Sequence, residues 1–363
     1  MTRRRLILIG AAVLAAVVLL GGGTVAASYA LRDRYDVPTA DLFGSPSPSE
    51  SASPSPTPSP TPEPGADITG PLTVLIVGVD TRESVPGWEP HADAVTILHI
   101  PRGLTKGYLF SLPRDLVVDV PAFPKSGYRG GRTKLTHAMS YGSRRGKAKP
   151  SAAQGFQLLA QTVSRYTGIK RFDAGVVLNF RGFRKLVDAV GGIDMYVDQK
   201  VTSIHLNKNG RGLSNGGPPM VYDVGNRHLN GWQALDYSRQ RYLPGGDYTR
   251  QRHIQQLVRA VLAKVGSLNL AKNPVEVDRV LRALGDTLVF DGRGRKPIDF
   301  AYALSGLRPQ SLTLVGLPGS GVGRGSAYRG EQLTAEGRKF ISELRAGRAD
   351  TYLAAHPKLL IRR

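Results

Sequence analysis

The sequence offers one chemistry repeatedly: guanidinium groups set beside carboxylates, in short clusters at the ends of apolar runs. Gly78-Val79-Asp80-Thr81-Arg82 closes one such run, His91-Ala92-Asp93 opens another, and Ser111-Leu112-Pro113-Arg114-Asp115 follows a third. Further along, Ala234 to Tyr242 carries Arg239 and Arg241, and Gly246 to His253 carries Asp247, Arg250 and Gln251. Planar guanidinium groups grip phosphate oxygens bidentately. Carboxylates among them would repel a plain polyanion, but they make sense beside a divalent cation or where a proton must move. Asp80 and Asp93, two hard oxygen ligands with open positions, suit Mg²⁺, which keeps waters and shares substrate phosphates. The combination points to phosphoryl transfer on a pyrophosphate, with metal and arginines stabilising charge on the leaving phosphate. Each cluster alone has a plainer reading: Asp80 as a turn residue, Arg114–Asp115 as a surface ion pair, Arg250–Asp247 as a structural pair.

These residues need elements that bring them together. Residues 72–80, 93–100, 107–113, 172–178 and 311–318 read as short, β-branched, buried strands. Residues 152–166, 181–190, 248–265, 275–284 and 333–347 read as helices, and Lys134 to Gly142, with His137 and Tyr141, as a loop entering a short helix. This alternation predicts an α/β layered domain with a central sheet over 71–363. Ligands in such sheets bind beyond the carboxyl ends of strands, where Asp80 lies. In the 248–265 helix, Ile254, Leu257, Val258, Val261, Leu262 and Val265 form one apolar stripe. At about 100° per residue, Asp247, Arg250 and Gln251 extend that stripe, while Arg252 falls opposite. An arginine on the inward face of a helix start needs a counter-anion, and the free N–H groups there favour one. Gly191-Gly192, the Leu186/Val187/Val190 stripe and Trp232 read as turn and core features.

Composition bounds the rest. The 363 residues include no cysteine, which removes disulfides, thiolate metal sites and cysteine nucleophiles. Lys+Arg number 49 against Asp+Glu 28, a net charge of +21. Residues 1–66 balance their charges, so the excess lies in the part able to fold. Residues 1–5 form a basic tail. Leu6 to Ala30 carries no charge and is long enough for a transmembrane helix, with the tail inside and residues 31–363 outside the cell membrane. Residues 31–70, with Pro/Ser/Thr-rich 44–66 at their heart, read as a semi-rigid extracellular stalk. A nucleic-acid partner is not expected, because the basic domain faces outward and has no reading motif. The histidines show no metal-binding spacing, and neither a Gly-x-Ser-x-Gly elbow nor a Walker loop is present.

In order, GVDTR, HADAVTILHI, SLPRD, KLTHAMSYG, LVDAVGGIDMYV, LNGWQALDYSRQR and GDYTRQRHIQQ resemble the LytR–CpsA–Psr family of cell-wall proteins, over roughly 72–265. The resemblance implies a three-layer α/β/α domain with a central mixed sheet. It also implies a polyprenyl-pyrophosphate-linked glycopolymer in an apolar tunnel, transferred as a phospho-glycopolymer to a peptidoglycan hydroxyl with Mg²⁺. Carried over, Asp80 and Asp93 would hold the metal; Arg82, Arg114, Arg239, Arg241, Arg250 and Gln251 would meet the pyrophosphate. Arg114, Asp115 and Asp247 would be catalytic, with Asp247 or Asp115 activating the hydroxyl. The family commonly has arginine where His91 stands; with less charge and fewer donors there, pyrophosphate affinity or pH optimum is expected to differ. Hydrolysis of the carrier pyrophosphate, and non-catalytic polymer binding, are the competing functions.

Overall fold

The computed structural model describes residues 40–44, 65–81, 85, 87–267, 287–296, 299–300, 303–304, 306–323 and 325–361. The expected membrane span Leu6–Ala30, most of the expected stalk, Arg82 and the helix expected over 275–284 lie outside the described residues. Among the described residues no helix is long and apolar enough to cross a membrane.

Three strands open the domain as an antiparallel meander: β1 (Leu72–Asp80), β2 (His91–Ile100) and β3 (Gly107–Leu112). A hairpin of β4 (Val117–Val120) and β5 (Gly131–Lys134) then leads into α1 (Leu135–Ser143) and α2 (Ala152–Thr167). The chain returns to the sheet as β6 (Ala174–Asn179), parallel to β1, and turns at once into α3 (Phe180–Ala189). Asn179 caps that helix by accepting a hydrogen bond from Gly182 N at 2.8 Å. Outside the main sheet lie β7 (Ile193–Val197), β8 (Val201–Asn207), β9 (Pro219–Tyr222) and β10 (Gly225–Leu229), followed by α4 (Gly231–Arg239) and α5 (Gly246–Ser267). Asn230 and Gln233 form a capping box that starts α4. β11 (Leu288–Asp291) pairs antiparallel with β6, and β12 (Leu312–Val315) parallel with β3. The pair β13 (Gly319–Val322) and β14 (Gly330–Leu333), then α6 (Ala335–Arg345) and α7 (Ala349–Ala355), complete the fold.

The six-stranded sheet runs β11-β6-β1-β2-β3-β12 and is mixed. Two apolar clusters cover its faces. Val74, Leu98, Leu109 and Val176 pack with α3, α4 and α5; Leu75, Val77, Ile97 and Phe110 pack with α1, α2, α6 and α7. The result is three layers, α/β/α, as the resemblance implies.

Both described parts of the expected stalk, 40–44 and 65–70, depart from the sequence reading by packing on the domain, Ile68 being buried. Residues 40–44 are packed on the domain: Leu42 is fully buried, its amide donates to Asp291 Oδ2 at 2.9 Å, and Phe43 meets Phe156 edge-on. An isolated leucine and phenylalanine in a polar stretch gave no periodicity to read, yet each has apolar surface to bury.

Candidate active site

The site lies where the carboxyl ends of β1, β3 and β6 meet the start of β2. A β-bulge builds it. Gly78 pairs with Ala94 but Val79 pairs with Ala92, so Asp93 is the extra residue on β2. A bulge shifts which face later residues point to. Before it, Ala94 and Thr96 line a cavity on the α3/α4/α5 side; beyond it, Ala92 packs into the opposite core, and Asp93 and His91 join the cavity wall. Without the bulge Asp93 would face the other layer. On β1, Ile76, Gly78 and Asp80 line the same cavity. Gly78 and Ala94 keep the floor low; a Cβ on Gly78 would lie 3.1 Å from that of Ala94.

The cavity encloses about 500 Å³. Its deep wall is apolar, with Leu178, Phe183, Leu235, Ile254, Leu257 and Val258. Its mouth is charged. Three guanidiniums from separate elements converge on Asp93. Arg114, just after β3, donates through Nη1 to the Asp93 carboxylate; Arg241, between α4 and α5, lies 3.4 Å from the same Oδ1; Arg250 donates through Nη1 to the Asp93 carbonyl at 2.8 Å. Arg250 is only 3% exposed, as its place on the inward stripe predicts, and two of its nitrogens also contact Asp247 Oδ1, at 2.8 and 2.6 Å. Burial, and then the neighbouring Arg114 and Arg250, pull the Arg241 pKa down, with Asp93 opposing. A phosphate bound there would relieve that crowding.

The other expected residues take distinct positions. Asp80 lines the cavity opposite His91 in the β1–β2 register, and its carbonyl accepts from Trp88 Nε1 at 3.1 Å. Arg239 stands on the cavity rim, its guanidinium 5.0 Å over the Phe180 ring, away from the Asp93 contacts. Asp115 and Asp247 sit behind the arginines and do not line the cavity. Asp115 accepts from Arg114 Nε at 3.3 Å with Lys134 at 3.7 Å; Asp247 holds Arg250 and accepts from Gln251 Nε2 at 3.0 Å. Gln251 is buried but lies outside the cavity wall. His91 contacts the Glu89 carbonyl through Nδ1 at 2.8 Å and stands edge-on to His137 at 6.5 Å. Burial and the charges of His91 and Lys134 push the His137 pKa down.

Sequence reasoning missed the wall residues Trp88, Phe180, Ile204, His205 and Tyr242. The pair Phe180/Phe183 carried a signal, an i, i+3 repeat beside the Leu186/Val187 stripe; the others had none. The protein's own hard donors on the wall are the Asp80 and Asp93 carboxylates. Among the described residues no three His, Asp or Glu gather as a metal cage. Two carboxylates on one cavity wall fit an ion that completes its shell with phosphate oxygens and water.

The LytR_cpsA_psr family model matches residues 44–337. The polyisoprenyl-teichoic acid–peptidoglycan teichoic acid transferase TagU of Enterococcus faecalis is 30% identical over 257 residues, which are 69% of this chain and 73% of that protein. Biofilm regulatory protein A of Streptococcus mutans is 32% identical over 206 residues, 55% of this chain and 45% of that protein. Among solved structures, B. subtilis TagV superposes with a TM-score of 0.56 at 20% identity, over 78% of this chain and 98% of that one. TagT bound to LI-WTA gives 0.54 at 21% identity, over 76% and 89%. These structural likenesses establish the fold.

Proposed function

The chain belongs to the LytR–CpsA–Psr family, and from that premise we propose that it is a membrane-anchored phosphotransferase moving a glycopolymer from a polyprenyl-pyrophosphate carrier to a peptidoglycan hydroxyl in cell-wall assembly. One observation carries the reading: Arg114, Arg241 and Arg250 meet around Asp93 at the mouth of an apolar cavity. A hydrocarbon chain needs the cavity and a pyrophosphate needs the guanidiniums, so the two halves of such a substrate match the two halves of the site. The relative named a polyisoprenyl-teichoic acid–peptidoglycan teichoic acid transferase supports the same assignment.

The residues divide the work as follows. Leu178, Phe183, Leu235 and Leu257 bind the lipid chain and exclude water. Arg114, Arg241 and Arg250 exchange Asp93 for phosphate oxygens, each charge-assisted contact contributing about 1.5–3 kcal/mol. The exposed Arg239 meets the glycan-side phosphate as it enters, and Arg82, outside the described residues, is kept as a pyrophosphate contact on the family resemblance. Asp80 and Asp93 would hold Mg²⁺, which supplies charge neutralisation for the phosphates. The acceptor hydroxyl oxygen forms a bond to the phosphorus bearing the glycan. The bond from that phosphorus to the bridging oxygen breaks, and its electron pair departs with polyprenyl phosphate. The hydroxyl proton passes to Asp247 or Asp115. Each is held against an arginine, Asp115 against Arg114 and Asp247 against Arg250, and Gln251 keeps Asp247 in place.

The test uses the full chain in vesicles with a lipid-pyrophosphate-linked glycan and peptidoglycan. The expected products are polyprenyl monophosphate and a phosphodiester-linked glycan on peptidoglycan. Free glycan phosphate formed at the same rate without peptidoglycan would make the protein a hydrolase, and binding without any turnover would make it a tether.

A further inference from the structure

Ahead of β1, two pieces of chain lie against the domain, residues 40–44 and residues 65–71. Ala40 N donates to the Phe290 carbonyl at 3.3 Å, Leu42 N to Asp291 at 2.9 Å, and Gln157 Nε2 to the Asp41 carbonyl at 2.7 Å. Leu42 is fully buried beside Gly175, where a Cβ would lie 3.1 Å from Leu42 Cδ1, and Phe43 lies under the Arg293 guanidinium at 4.1 Å. At the other end, Gly65 packs so closely on the Asp299 carbonyl that a Cβ would overlap it, and Ile68 is buried. The Pro/Ser/Thr-rich stretch therefore starts on the domain and ends on the domain. Its length does not add to the distance between the domain and anything upstream.

What remains between Ala30 and the domain is residues 31–39. The ten peptide steps from Ala30 to Ala40 span at most about 35 Å, against about 125 Å for a free polyproline run from Ala30 to Pro71. The docked segment also has a direction. It passes Phe290, then Asp291, then Arg293, so it enters from the Leu288 end of β11, and Leu288 pairs with Leu178 of the cavity wall. Leu42 and Phe43 pack in the layer opposite the cavity, against Phe156, so the segment grips the domain from the sheet face behind the site. The domain's exposed Arg184, Lys185, Arg239 and Arg241 are charges that suit an anionic lipid surface.

We infer that residues 40–44 are a clasp that keeps the domain within the reach of a nine-residue tether from the bilayer, which rests on the reading of Leu6–Ala30 as the anchor of a lipid-using enzyme. A short tether keeps the lipid-binding cavity near the layer where a long-chain substrate resides. The Pro/Ser/Thr stretch, held at both ends, adds nothing to that reach.

The test measures distance and needs no turnover. The full chain has no cysteine, so Lys208→Cys, near wall residues Ile204 and His205, takes a single fluorophore. Energy transfer to a labelled lipid is then read in vesicles containing anionic lipid. A 20-residue Gly/Ser insertion after Pro38 is expected to raise the separation by about 25 Å, the coil dimension of the insert. The same insertion after Pro54 is expected to leave it unchanged. Equal lengthening by both insertions would restore a linear stalk and overturn the clasp; no change from either would overturn tether length as the control of distance. A chain that stays in the aqueous fraction overturns the anchor and the inference together, whereas loss of transferase activity with the distances as expected removes only the proposed reaction.

Discussion

The proposed function gives Asp93 two roles that a substitution can separate. In the free protein its carboxylate occupies Arg114 and Arg241, which a bound phosphate would have to displace, and with Asp80 it supplies the carboxylates of the wall. Asp93→Asn removes the competitor and leaves three guanidiniums crowded, so polyprenyl pyrophosphate is expected to bind at least as tightly while Mg²⁺-dependent turnover falls about a hundredfold or more, a loss of roughly 2.7 kcal/mol of transition-state stabilisation. Binding and turnover falling in parallel would reduce Asp93 to a structural ion pair. Arg250 and Arg241 make the complementary contrast. The Arg250 side chain is 4% exposed and its loss strands the Asp247 charge, so Arg250→Met is expected to cost about 3–5 kcal/mol of stability in denaturant unfolding. The Arg241 side chain is 43% exposed, and Arg241→Met should cost under about 1 kcal/mol while still lowering kcat/KM about tenfold or more. Equal destabilisation by both would contradict the burial difference. The inward place of Arg250 was legible in the sequence because a helical stripe extrapolates through a terminus. Asp115 and Asp247 were legible as members of the cluster, but not their position behind the arginines, which depends on side-chain direction.

At the level of elements, alternation marked the long strands, and β1 falls on the residues that the apolar run marks. The bulge at Asp93 left no trace in HADAVTILHI, since a doubled residue changes the facing of side chains without changing their types. The hairpins β4/β5 and β8/β9 were missed because strands of four to seven residues flanked by Gly, Pro and Asn lack a measurable period. The α4 helix was missed because a glycine opens it, and only the Asn230 capping box made that start favourable. What joins α4 to α5 gives a pH prediction. His253 of α5 is buried, stacks on Tyr237 of α4 at 4.3 Å, and donates Nε2–H to Asp198 at 3.2 Å; Arg252 holds the same carboxylate at 2.7 Å. Burial pushes the His253 pKa below its ordinary value, outweighing Asp198. Burial alone would raise Asp198, but its bonds from His253 and Arg252 leave it lowered, so the pair is a neutral imidazole on a carboxylate. Below about pH 6.5 the unfolded state takes up a proton that the folded state refuses, so stability falls on acidification, by up to about 1.4 kcal/mol per pH unit for this one group. Tm measured from pH 7.5 to 5.5 should drop, and His253→Gln, which keeps an N–H for Asp198, should flatten the slope. An unchanged slope would place the titration elsewhere, on His99, His137 or His205, whose pKa values burial also lowers.

For the whole molecule, the layered α/β architecture was legible from the order of strands and helices and its three layers from the family resemblance, whereas the clasp was not, because its energetics lie in two apolar side chains within a polar run. The charge distribution was legible as well: the entire +21 belongs to residues 67–363, while residues 1–66 are balanced. That separation has a kinetic consequence. On the proposed function, an anionic polymer approaching the mouth meets the field of the whole domain before it touches Arg114 or Arg250, and clefts lined by one sign of charge concentrate oppositely charged ligands. Exposed charges more than a Debye length away, about 10 Å at 0.1 M salt, stop contributing as salt rises, while the buried Arg250 contact is screened far less. Raising NaCl from 0.05 to 0.5 M is therefore expected to lower the association rate of an anionic glycopolymer several-fold and raise KM correspondingly, with kcat nearly constant. Stopped-flow binding separates the two, and a neutral glycan on the same lipid carrier is the control, retaining only its two phosphates. If the neutral and anionic polymers lose association rate in equal measure, the domain's charge serves only the pyrophosphate, and the wider basic surface has no part in gathering substrate.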